Sequence, residues 1–164
     1  MKEKILEAFR ELGFKLEEEE GMGYSFNFEG MHLLYMYNEN DEEFLNIALP
    51  CIFEVEESRM LLICALLERI NSSLKYIKAY MLGNSVWLFY ERELIEQQES
   101  DGQLSGDGNN LMKVIPLMIL HLESALAFAR KAMVEIENDM ADSRSDDDDA
   151  AEEIVAEEIT DDNE

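Results

Sequence analysis

Two histidines, two cysteines and 38 carboxylates are the side chains in this sequence whose chemistry could carry a reaction. His32 falls in an apolar strand-like segment and His121 in a mostly apolar helical one. A metal centre would need them to converge with Cys or carboxylate ligands, yet no HxxxH, HExxH or paired-Cys spacing occurs. Cys51 and Cys64 lack CxxC spacing. Cys64 sits inside the run MLLICALL, where nothing nearby would hold a thiolate. Both cysteines are therefore expected as ordinary buried packing residues in a reducing compartment. Acid–base catalysis needs one carboxylate with a displaced pKa in a cleft, and abundance alone singles out none. Gly102–Gly108 (GQLSGDG) lacks the Gly-Lys-Ser/Thr of a phosphate loop and the strand–turn–helix setting of a dinucleotide fingerprint, so it reads as a flexible loop. Asp146–Asp149 lacks the alternating ligands and the glycine of a calcium loop. The sequence thus assigns no catalytic, metal or cofactor residue, and a non-enzyme is expected.

Charge narrows the partners. The 38 acidic residues face 13 basic ones, a formal net of −25 over 164 residues. From Asp139 to Glu164 there are 13 acidic residues and one Arg, a net of −12, which leaves −13 for residues 1–138. A field of that sign repels phosphate backbones and anionic lipid, so neither nucleic acid nor a membrane surface is expected as a partner, and basic proteins are favoured. The segment MKEKILEAFRELGF has charges inside its apolar pattern and no signal-peptide core. No uninterrupted apolar run approaches the eighteen or so residues of a membrane helix. A cytoplasmic protein is expected.

The elements that must carry these residues follow from periodicity. Ile5, Leu6, Phe9 and Leu12 share one helical face, and Gly13 offers a stop. Tyr24, Phe26 and Phe28 then alternate with polar residues, the two-residue period of a strand. Glu29-Gly30 turns into a second strand, Met31–Tyr37, and Glu43–Leu49 supplies a third, closed by Pro50. A helix over Arg59–Asn71 contains MLLICALL. The strands Lys75–Leu82 and Ser85–Glu91 flank Gly83-Asn84, where Gly in the first turn position suits a type II′ hairpin. Glu93–Asn110 reads as a polar linker. A last helix spans about 111–137, with Pro116 predicting a kink or a later start. The order α-βββ-α-ββ-α specifies an α+β domain over residues 1–138, an antiparallel sheet with helices packed on it. Residues 139–164 read as a disordered acidic tail.

That order, the aromatic first hairpin GYSFNFEGMHLLYMY and the segment ERINSSLKYIKAYMLGNSVWLFYERE resemble the type III secretion chaperone-like fold. Within it the chain looks most like the YbjN-type bacterial proteins, described as sensory transduction regulators. In that second segment an Asn near the end of the second helix leads into a hairpin, as in the family. The resemblance implies a non-enzymatic domain, commonly dimeric, that binds or regulates other proteins.

The residues then suggest two surfaces. MLLICALL has no charge, so a helix apolar around most of its girth should pack one side on the sheet and the other on a second protomer. Met60, Leu61, Ile63, Cys64 and Leu67 are the expected homodimer interface. MHLLYMY and VWLFY are apolar on both strand faces, and Tyr35, Tyr37, Trp87, Phe89 and Tyr90 are the expected client-binding surface. The rival reading is a small acidic inhibitory or structural protein whose tail masks a basic site on a partner.

Overall fold

In the computed structural model, residues 1–94 and 110–160 are described, the side chains of the latter stretch as far as residue 142. The predicted linker, with Gly102–Gly108, falls largely outside the described residues. The elements are α1 (Lys2–Glu11), β1 (Glu17–Glu19), β2 (Gly23–Phe28), β3 (Met31–Met36), β4 (Phe44–Glu54), α2 (Met60–Ser73), β5 (Ile77–Leu82), β6 (Ser85–Glu93) and α3 (Leu111–Thr160). The strands form one antiparallel sheet in the order β1-β2-β3-β4-β6-β5.

Local chemistry explains the boundaries. α1 buries Ile5, Leu6, Ala8 and Phe9. It stops where Gly13 enters the left-handed region (φ 87°), with its N–H on the Arg10 carbonyl at 2.9 Å and the Phe14 N–H on the Phe9 carbonyl at 3.0 Å. Those two bonds make a Schellman stop, and the Phe9–Phe14 ring contact is its customary hydrophobic clasp. Glu29 and Gly30 both have positive φ, the requirement of a type I′ hairpin. Gly23 has no substitute, because a Cβ there would lie 2.1 Å from the Tyr35 carbonyl oxygen.

Three elements depart from the sequence reading. β1 is an additional strand of three glutamates, which no hydrophobic pattern could announce. β4 does not end at Pro50 but continues to Glu54 through a bulge between Leu49 and Phe53, with Cys51 at φ 55°. A bulge is where a ladder tolerates proline's missing donor. α3 begins at Leu111, capped by the Asn110 side chain on the Met112 N–H at 3.1 Å, and it carries Pro116 inside. It continues past Glu137, its backbone helical to Thr160, through the Ala151–Ile159 stretch (AEEIVAEEI) whose sequence allows a helix within the acidic tail. Ala and Glu, abundant in AEEIVAEEI, are strong helix formers and no Gly or Pro interrupts them.

All three helices serve one face of the sheet. Phe26, Leu33, Tyr35, Leu45, Ile47, Leu49, Leu88 and Tyr90 point to it. They form a single core with Phe9 of α1, Leu62, Ile63, Leu66 and Ile70 of α2, and Ile115, Met118, Ile119 and Leu122 of α3. An 18-residue window of α3 has mean hydropathy 1.6, enough by length and composition to cross a bilayer. The burial of its inward face in this core gives that hydropathy a packing explanation. The two cysteines are a correction: both are exposed, Cys51 at the bulge and Cys64 on the outward side of α2.

Candidate functional site

Alternation along the strands sends the intervening residues to the opposite, helix-free face. There Leu34, Ala48, Trp87 and Phe89 make a second apolar cluster built from strand residues only, with Met36 packed against it. Tyr80 lies on Phe89, and Phe89 in turn stacks beside Trp87 with centroids 5.9 Å apart. The Trp87 indole is fixed by an N–H bond to Ser85 Oγ at 3.0 Å. Ser85 Oγ also lies 3.4 Å from Cys51 Sγ.

The accessible part of this cluster is its rim. Trp87 and Phe89 are only 8% and 1% exposed, whereas Tyr80, Leu82, Phe44 and Met22 retain 41%, 43%, 39% and 44%. At the Phe44 and Met22 end of this rim lies a groove of about 470 Å³, lined by Met22, Met36, Phe44, Asn46, Lys78 and Glu91 among others. That volume is within the range of ordinary ligand pockets, roughly 300–1,000 Å³. Its polar members are already engaged with one another. Glu91 accepts from Lys78 Nζ and, at 3.5 Å, from Asn46 Nδ2. The Glu91 hydrogen bond and charge raise the Lys78 pKa above its ordinary value. Burial, then the Glu91 charge, raise that of Tyr80. Asn46 Oδ1 is buried with no hydrogen-bond partner among the described residues. Glu17, Glu19, Glu54 and Glu93 share this sheet face by register, so its frame is acidic.

The structure distributes the anticipated residues differently. Tyr35 and Tyr90 point to the helix side and are buried at 1% and 4%. Tyr90 stacks on Tyr76 at 5.8 Å and meets His121 edge-on at 5.7 Å. Tyr37, also anticipated at the binding surface, is half-buried, donates its hydroxyl proton to Glu42 at 2.7 Å and lines the 470 Å³ groove. Trp87 and Phe89 share the helix-free face but lie beneath its accessible surface, so the five aromatics do not form one patch. Among the anticipated interface residues Ile63 is 1% exposed, inside the protomer's own core. Leu67 is half-buried, while Leu61 (74%), Met60 (38%) and Cys64 face outward. Leu61 borders a second groove of about 280 Å³ between α2 and α3, bridged by the Arg59–Glu137 ion pair.

The rim residues Met22, Met36, Phe44 and Tyr80 were not singled out by sequence reasoning. For Met36, Phe44 and Tyr80 the signal is the two-residue period itself, whereas Met22 lies in the turn before β2. Phe44, Asn46 and Ala48 alternate with Leu45, Ile47 and Leu49, and only the side taken by the helices decides which set stays accessible. His32 is exposed, 3.4 Å from Asn27 Oδ1. Among the described residues no group of three His, Cys, Asp or Glu side chains is placed to hold a metal.

No protein-family model matches this sequence, and no curated protein does. The structure is similar to that of YbjN from E. coli, a proposed transcription regulator, with a TM-score of 0.57 at 14% identity over 80% of this chain and 92% of that one. It is also similar to an uncharacterized protein from Methanothermobacter thermautotrophicus, with a TM-score of 0.50 at 15% identity over 83% and 96% of the two chains. The chain therefore has the YbjN-like α+β fold. At these identities the likeness is one of fold.

Proposed function

We propose that this chain is a non-enzymatic regulatory domain that takes a basic segment of a partner protein on the helix-free face of its sheet. One observation carries the reading. A groove with methionine and phenylalanine walls opens beside Tyr80 on a face that no described helix covers, inside an acidic frame whose lysine, Lys78, is already held by Glu91. An apolar floor with a charged rim is the usual division of labour in an interface, area supplying affinity and charge supplying steering. Methionine walls adapt to varied side chains. The similarity to YbjN, a proposed regulator, agrees with a role exercised through binding.

The exposed side of α2, with Met60, Leu61 and Cys64, supports a homodimer as a second element of the proposal, with Ile63 excluded from its contact. Capture of partners from the source cells with wild type, Phe44→Glu and Leu61→Glu separates the two surfaces. Phe44→Glu should lose the partner by tenfold or more, on the order expected for charging the centre of an interface. Leu61→Glu should retain it. Retention by both variants would refute the sheet-face reading.

A further inference from the structure

A six-stranded open sheet has two edges, and an unpaired edge offers its outward N–H and C=O groups to any passing strand. The β1 edge is guarded by its own sequence, three consecutive glutamates over Glu17–Glu19. The β5 edge has no such charge. Its outer end is Tyr80, Met81 and Leu82, all 38–43% exposed, and its one cation, Lys78, is engaged by Glu91.

What β5 has instead is Asn71, from the last turn of α2. Its Nδ2 donates to the Ala79 carbonyl oxygen at 2.8 Å and its Oδ1 accepts from the Ala79 N–H at 2.8 Å. A carboxamide carries the same donor and acceptor as a peptide unit, so Asn71 makes the two bonds that a neighbouring strand would make at this residue. The parity of an antiparallel ladder places Ile77, Ala79 and Met81 with their backbone groups outward, so the guarded residue is the middle one of the three. The edge is also self-complementary. About a two-fold axis at Ala79, Ile77 of one copy would face Met81 of the other, and Lys78 would face Tyr80. No like charges meet in that register, and charge is therefore no bar to pairing.

We propose that Asn71 is an edge guard, which keeps β5 closed to strand addition by a second copy of this chain. This stands apart from the binding reading above, since it concerns the outward backbone groups of β5 and not the side chains on its helix-free face. The direct test is the solution mass of wild type, Asn71→Ala and Asn71→Ala/Met81→Lys at equal concentrations, with circular dichroism to confirm folding. Asn71→Ala should at least double the mass relative to wild type, and adding Met81→Lys should restore it, because a charge on the edge replaces the lost guard. A folded Asn71→Ala of wild-type mass would overturn the proposal. If that variant does not fold, amide hydrogen exchange on the wild type decides. Ala79 should be strongly protected while Ile77 and Met81 exchange freely, and equal rates at the three positions would overturn it.

Discussion

Tyr80 and Phe89 lie ring on ring, their centroids 4.3 Å apart and their planes within 1° of parallel. They sit on adjacent strands one step out of direct register, Tyr80 opposite Trp87 and Lys78 opposite Phe89. The diagonal reach of an aromatic side chain across a sheet makes this contact possible. It has two consequences, since Tyr80 covers Phe89 from water and at the same time presents its own outer face to whatever approaches.

The first consequence is a stability difference. Tyr80→Ala should lower the free energy of unfolding by about 1–2 kcal/mol, from a lost aromatic pair and partial uncovering of Phe89. Tyr80→Phe keeps the stack and should cost well under that. Urea unfolding followed by Trp87 fluorescence measures both.

The contrast between core and outward helix face is larger. Phe9 is fully buried and its ring meets those of Phe14, Phe26 and Tyr35. Phe9→Ala should destabilise by roughly 3–5 kcal/mol, whereas Leu61→Ala, on a residue 74% exposed, should shift stability by less than about 0.5 kcal/mol. A thermal melt at matched concentration distinguishes them, and equal losses would show that Leu61 is buried in the protein in solution.

The division between legible and illegible features has a physical basis. The single antiparallel sheet, the three helices and the Gly83-Asn84 turn were legible because each rests on a local rule. Gly83 indeed sits at φ 62°. The surface was illegible because both faces of VWLFY and MHLLYMY are apolar, and alternation states only that Trp87 and Tyr90 point apart. Which one meets the helices depends on long-range packing of α2 and α3 onto β5 and β6. β1 was missed for a related reason, since Glu17–Glu19 joins the sheet through backbone bonds to β2 and has no apolar side of its own.

The chain start provides a pH-dependent contact. Glu42 accepts the Tyr37 hydroxyl proton and pairs with the Met1 amino group at 3.7 Å. The Tyr37 hydrogen bond, then the amino-terminal charge, lower the Glu42 pKa, and the same bond to Glu42 raises that of Tyr37. A lowered carboxylate contributes stability above its unfolded pKa and loses it as pH falls through the folded one. The raised phenol contributes below its unfolded pKa and loses it as pH rises through its folded value. The stabilisation is therefore full from above the carboxylate range to below the phenol range. Glu42→Gln should bring the Tyr37 titration, read by ultraviolet absorbance, back toward its ordinary value, and an unchanged Tyr37 titration would contradict the pairing.

The helix-free face is the centre of the proposed function, and its two groove methionines offer a direct probe. With methyl-labelled protein and a partner captured from the source cells, nuclear magnetic resonance should show shifts at the Met22 and Met36 methyls. Met60 on α2 and Met112 on α3 should stay in place. Shifts confined to Met60 or Met112, with Met22 and Met36 unmoved, would contradict the account and transfer the binding surface to the helices.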